Sequence, residues 1–223
     1  MNDRSLNAAM IMSATGVRAV RQNSRRRDIL DAAAALLRAR GFHGTSIRDI
    51  AAAAGMTPGA IYSHFASKAA LLLAIYQEGI DVISERVDAA IASASDPRQQ
   101  LIAACEAHVD MLLDRTDFAQ VLIRVLPEDV PEVTGELTVL RDGYEQRFRR
   151  LVDALPLPPT VSRRHLRLFV LGAMNWAQVW YRPGEDSPRT IARRLIAAIG
   201  LDGEVGHERR SAAARAAGKN TRH

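Results

Sequence analysis

The chain has 223 residues, 48% hydrophobic and 25% charged, enough for one large domain or two small ones with a true core. Aromatics make up only 5% and alanine is abundant, which disfavours a sandwich or barrel and favours an all-helical build. A single cysteine, Cys105, excludes a disulfide framework and a cysteine-rich zinc site, and no run of 18 or more apolar residues exists to cross a membrane.

The net charge of +5 is unevenly placed. Residues 1–68 hold ten basic residues against four acidic ones, so this end carries about +6 and the remainder about −1. Of the 30 basic residues only Lys68 and Lys219 are lysines; arginines suit bidentate contacts to guanine and phosphate. A basic end on a neutral body is an electrostatic footprint for nucleic acid. The run Ala8-Ala9-Met10-Ile11-Met12 is too short for a signal-peptide core, so a soluble, cytoplasmic protein is expected.

In chain order, residues 1–24 lack periodicity and are expected to form a disordered arm ending in Arg25-Arg26-Arg27. A first helix from Arg26 to Arg40 turns Ile29, Ala33, Leu36 and Leu37 inward and ends at Gly41. Ser46, with Asp49 three residues on, starts a second helix carrying Ile47, Ile50, Ala51 and Ala54 on one face. Gly55 ends it; Thr57 and Pro58 then cap and open a third, short helix to Phe65. Two short helices across a glycine turn make a helix-turn-helix. Ile61 and Phe65 anchor the second of them. Gly59, Ala60 and Ser63 form a slim face able to approach base edges, flanked by Tyr62 and His64, which can bond phosphates. Lys68 begins the next helix, where cation and helix N-terminus point to the same place.

Residues 26–75 resemble the N-terminal domain of TetR-type transcriptional regulators. The resemblance runs from Arg40-Gly41-Phe42 through Thr45–Ala51 and Gly55–Phe65 to Ser67-Lys68 and Leu71-Leu72. It implies a DNA-facing set of Thr45, Ser46, Arg48, Thr57, Pro58, Gly59, Ala60, Tyr62, Ser63, His64 and Lys68. Gly59 departs from the larger residues common at its position. Double-stranded DNA, as a palindromic operator, is the implied partner, and the expected domains are 25–70 for DNA binding and 71–202 for effector binding and dimerisation.

Beyond the motif, a long fourth helix from about Ser67 to Ser93 bears the stripe Leu72, Ile75, Ile80, Ile83 and Val87 and links the two domains. Asp96-Pro97 opens a fifth helix facing Leu101, Ala104, Cys105, His108, Met111 and Leu112 inward. A sixth spans Asp117–Leu126, with Pro127–Pro131 as a break; a seventh, from about Glu132 to Ala154, presents Leu137, Leu140, Tyr144, Phe148 and Leu151. An eighth runs from about Val161 to Tyr181, and a ninth, opened by Ser187-Pro188, ends at Gly200. Residues 203–223 form an expected disordered basic tail. The fold class is therefore all-α, with about nine helices.

The eighth helix is apolar on more than one face, so its second side needs another subunit, and two-fold operators call for two-fold proteins. In the TetR pattern the last two helices form the dimer interface, here Leu166, Phe169, Val170, Ala173, Ala177, Trp180, Ile191, Leu195 and Ile199. The segment from Asn175 to Gly184 is similar to that of repressors of lipid and steroid degradation, whose ligands are often CoA thioesters. The expected pocket walls are Met111, Phe118, Leu122, Tyr144, Phe148 and Trp176, with Arg124, Arg141, Arg147, Arg149 and Arg150 available to an acidic ligand.

Other classes fit less well. The six histidines show no pairing with a nucleophile, and no phosphate loop or hydrolase motif occurs, so neither catalysis nor a cofactor is expected. A drug sensor, a metal sensor using Cys105, His108 and Asp110 or Glu106, and a DNA-free helical adaptor are the alternatives. No metal ligand set is assigned.

Overall fold

The computed structural model describes residues 23–114 and 116–201; the arm to residue 22 and the tail from 203 lie outside the described residues. The described residues are helical and form no strand. Helix α1 covers residues 23–40, so the last two residues assigned to the arm are helical. It is followed by α2 (Ile47–Ala53), α3 (Pro58–Tyr62), α4 (Lys68–Ala92), α5 (Pro97–Leu113), α6 (Asp117–Arg124), α7 (Thr134–Asp153), α8 (Arg163–Trp180) and α9 (Pro188–Ala198).

Side-chain caps set most of the boundaries. Ser46 Oγ accepts from the Asp49 amide at 3.2 Å while Asp49 Oδ2 accepts from the Ser46 amide at 2.9 Å, a reciprocal capping box. Thr57, Ser67, Asp96, Thr116, Ser162 and Ser187 cap their helices by accepting first-turn amides, without the reciprocal bond. Gly41 and Gly55 take φ of +70° and +64°, left-handed values that close α1 and α2 and that a side chain would resist. The proline-rich break after α6 is not a loose loop. It folds as two 3-10 turns, Pro127–Asp129 and Pro131–Val133.

Helix α4 spans roughly 37 Å at 1.5 Å per residue over its 25 residues. It packs against α5, α6 and α7, and α5 in turn packs against α7, α8 and α9. The stripe Leu72, Ile75, Ile80, Ile83 and Val87 is buried along it, so one continuous core runs from Ile29 in α1 to Ile196 in α9.

The end holding α1–α3 is fastened to α6. Arg27 pairs with Glu78 of α4 and lies over the Phe118 ring at 5.1 Å. Arg38 Nε pairs with Asp117 at 2.7 Å, and Arg124 Nη1 donates to the Arg38 carbonyl at 3.2 Å. His43 Nε2 donates to the Asp129 carbonyl at 3.1 Å.

Candidate functional site

The first candidate surface is the helix-turn-helix. Ile61 and Phe65 are buried and fix α3 to the core, while Tyr62 is 55% exposed and Ser63 faces out beside it. A Cβ on Gly59 would meet nothing nearer than Thr57 Oγ1 at 4.0 Å, so the first turn of α3 is slim and open. Arg48 is exposed on α2 and Pro58 on α3; Ala60 and His64 are half-buried between them and the core. Ser46 is exposed, and its hydroxyl lies 2.6 Å from Asp49 Oδ2. That bond holds the Asp49 carboxyl below its usual range, so the box is at full strength at neutral pH.

Two of the expected DNA contacts, Thr45 and Lys68, have partners inside the chain. Thr45 is 2% exposed, and its hydroxyl donates to the Gly41 carbonyl at 2.9 Å. Lys68 Nζ donates to the Phe42 and Thr45 carbonyls at 2.7 and 2.8 Å and sits 4.1 Å from the Phe42 ring. The cation satisfies carbonyls that the α1–α2 turn leaves without helical partners, so in this structure it anchors that turn. Replacing Lys68 with Met is expected to destabilise the protein by about 2–4 kcal/mol, from two charge-assisted bonds and a cation–π contact. The salt dependence of DNA binding should stay unchanged. Thermal melts and a salt titration of operator affinity check both parts.

The second candidate is a cavity of about 510 Å³ between α4, α5, α6, α7 and α8. Met111, Phe118, Leu122, Tyr144 and Trp176 line it as expected from the sequence. Phe148 does not. It is fully buried behind the wall, edge-on to His108 and Tyr144 at 5.7 Å. Tyr76, Gly79, Ile83, His108, Leu171 and Asn175 also line the cavity without having been singled out as walls. The helix periodicity put several of them inward, but only the packing of α4 and α8 against α5 and α7 tells an inward face from a cavity wall.

The polar part of this wall is a relay. His108 Nδ1 lies 2.7 Å from the Tyr144 hydroxyl and Nε2 lies 3.0 Å from Asn175 Oδ1. With Nε2–H donating to the amide oxygen, Nδ1 accepts from the Tyr144 O–H. Burial holds His108 neutral, its pKa lowered to about 4, with the Asn175 bond acting weakly the other way. Burial likewise pushes the Tyr144 phenol and the Cys105 thiol up, leaving both protonated. Tyr76 donates its hydroxyl to the Leu122 and Val125 carbonyls at 3.0 and 2.7 Å, tying the end of α6 to α4.

This arrangement disfavours a metal at Cys105 and His108. Both ring nitrogens already have partners, and the helping carboxylates are held by α9, Asp110 by Arg189 at 2.7 Å and Glu106 by Arg193. No group of three metal-competent side chains occurs among the described residues. Of the five arginines singled out for an acidic ligand, Arg147 is held bidentately by Asp88 at 2.8 Å, Arg124 is bound to α1, and Arg149 and Arg150 are exposed on α7. Only Arg141 lines the cavity.

The third candidate is the outer face of α8. Leu168, Phe169, Trp176, Val179 and Trp180 stand 45–64% exposed at helical spacing. Phe169 and Trp180 were expected there, and Leu166, Ala173, Leu195 and Ile199 are partly covered beside them. Val170, Ala177 and Ile191, also expected there, are buried in the core of this chain. Trp176 is both a cavity wall and part of the outward face.

Comparisons with known proteins agree with this architecture. Residues 29–75 match the family model described as bacterial regulatory proteins, tetR family, and residues 94–201 match the tetracyclin repressor-like C-terminal domain. The chain is 27% identical over 197 residues to the HTH-type transcriptional repressor KstR2 of Rhodococcus jostii, covering 82% of this chain and 92% of that one. It is 30% identical over 195 residues to the HTH-type transcriptional regulator AcrR of Shigella flexneri, covering 78% and 86%. The crystal structure of AibR with isovaleryl coenzyme A and operator DNA superposes with a TM-score of 0.70 at 24% identity, over 78% of this chain and 97% of that one, which establishes a shared fold. No helix among the described residues is long and apolar enough to cross a membrane. The chain belongs to the TetR family and is a DNA-binding transcriptional regulator, not an enzyme.

Proposed function

We propose that the protein is a homodimeric repressor that leaves a palindromic operator when a small amphipathic ligand fills the α4–α8 cavity. The supporting observation is the position of α6. Its Phe118 and Leu122 wall the cavity, while Asp117, Arg124 and Phe118 hold α1 through Arg38 and Arg27. A ligand that displaces α6 therefore displaces the base of the helix-turn-helix, and differential affinity for the two arrangements shifts the head spacing. The sequence relationship to the repressor KstR2 supports repression.

The ligand class favoured is a CoA thioester of an acyl or steroid acid. An apolar body suits a cavity of 510 Å³, and the charged carrier head would lie where its wall carries arginine unpaired among the described residues, Arg86 exposed and Arg141 half-buried. Fluorescence anisotropy on the DNA upstream of the protein's own gene tests the reading. The preformed complex is expected to dissociate with dodecanoyl-CoA and to persist with Zn²⁺ or a cationic dye. Persistence with every amphiphile tried would overturn ligand release.

On the DNA side, Arg48 reaches a base or phosphate from α2, while Thr57, Pro58, Gly59, Ala60, Tyr62, Ser63 and His64 present α3 to the major groove. Arg48→Ala is expected to cost about 1–3 kcal/mol of operator affinity and to relax specificity at one base pair. Titrations against single-base operator variants check it; unchanged affinity would displace the docking geometry.

A further inference from the structure

Arg141 stands apart from every other arginine that the sequence offered to an acidic ligand. It is half-buried on α7, one turn before Tyr144, and lines an otherwise largely apolar cavity. Among the described residues it has no acidic partner within 4.0 Å and no protein hydrogen-bond acceptor. Glu145, one turn on and also on the wall, does not engage it at that distance. Tyr76, whose hydroxyl ties α6 to α4, lines the same cavity as Arg141.

A guanidinium carries five N–H donors in a planar fork and stays charged at any accessible pH. A planar or tetrahedral anion is the natural complement of such a fork when the chain itself offers it no counter-charge. The facing wall supplies the other half of a binding site, Met111, Leu112, Leu122 and Ile83 for an apolar body.

Resting on the ligand-release reading above, we infer that Arg141 is the anion-binding residue of the cavity. Its effector is an apolar molecule bearing a carboxylate or phosphate, gripped by the guanidinium while the body lies along α4 and α5. The anion has two possible sources, the carboxylate of a free acid or a phosphate of a carrier thioester; the chemistry at Arg141 is the same.

The test uses full-length dimer and three probes: dodecanoate, dodecanol and dodecanoyl-CoA. Binding is read from the intrinsic tryptophan fluorescence of Trp176 in a Trp180→Phe background and by calorimetry, on the otherwise unaltered chain, Arg141→Met and Arg141→Lys. The chain with Arg141 intact is expected to prefer an anionic probe to dodecanol, and Arg141→Met to lose that preference by roughly tenfold to a hundredfold with dodecanol binding unchanged. Arg141→Lys should recover part of it. Preference for dodecanoate assigns the anion to the free acid, and preference for dodecanoyl-CoA alone assigns it to the carrier. The chain with Arg141 intact showing no preference for either anion, or Arg141→Met weakening all three probes alike, overturns the assignment.

Operator release, measured in parallel, separates the two readings. Arg141-dependent binding without release would uphold the residue and sink the switch. Release by dodecanol and dodecanoate alike, unaltered in Arg141→Met, would do the reverse.

Discussion

Replacing Phe169 and Trp180 together with Glu is expected to turn the protein into a monomer and to weaken operator binding by a hundredfold or more. Both side chains stand out from α8, 57% and 46% exposed, in a row with Leu168, Trp176 and Val179. Five large apolar groups on one helical face, each yielding about 1.5–3 kcal/mol when buried, are not a stable solvent surface. A second copy related by a two-fold axis would cover the same stripe with itself. Two heads on one body gain about 10²–10⁴ in operator affinity over a single head through effective concentration, and that gain would disappear with the dimer. Sedimentation of the double variant, with operator titration beside it, decides the matter; a variant that remains dimeric would place the interface elsewhere. Val170→Ala is the contrasting control, since Val170 is buried inside the chain and its loss should lower the melting temperature without dissociating subunits.

The second large effect concerns acid. His108 titrates near 6.5 in the unfolded chain and near 4 when buried. As pH falls below about 6.5 the unfolded state takes up a proton that the folded state refuses until about pH 4. Stability is therefore lost across that window and levels off below it, by about 3 kcal/mol from this one residue. His108→Gln is expected to be less stable than wild type at pH 7, where the bonds to Tyr144 and Asn175 are intact. By pH 4.5 that gap should largely close. Urea unfolding at pH 7.0, 5.5 and 4.5 reads the difference. A gap that does not change with pH would mean that His108 is not held neutral, and the relay on the cavity wall would need redrawing.

These two predictions differ in how far the sequence reached them. The α8 surface was legible as an excess of apolar positions around one helix, since a helix apolar on more than one side needs two coverings. Which residues served which covering was not legible. Val170 and Ala177 follow the same spacing as Phe169 and Trp180, and only the angle at which α8 lies on α5 and α7 sends the first pair inward. His108 was read as inward-facing, but its partners lie 36 and 67 positions further along the chain, on α7 and α8. No local pattern can report such a meeting.

The same division holds at the DNA-binding end. Ser46 and Asp49, Gly55, Thr57 and Pro58 act within a few residues of themselves, by caps and left-handed turns, so the helix-turn-helix follows from the chain alone. Lys68 sits where the family pattern and the dipole of α4 both suggest a phosphate ligand. Its ammonium instead meets carbonyls 26 and 23 residues earlier, a contact created only when α4 folds against the α1–α2 turn. Thr45 is withdrawn from solvent by the same packing.

By itself, then, the sequence determined the helices, their capped starts, the DNA-reading motif and the all-α class, because capping, glycine conformation and apolar periodicity are interactions of near neighbours. The ends of α3 and α6, expected at Phe65 and Leu126, fall at Tyr62 and Arg124. Tertiary structure alone decided which arginine lines the cavity, which apolar stripe is left uncovered, and that α6 joins the cavity to α1. Those are relations between surfaces brought together from distant parts of the chain. Burial and charge pairing there depend on how the helices cross, which a pattern along one helix does not specify.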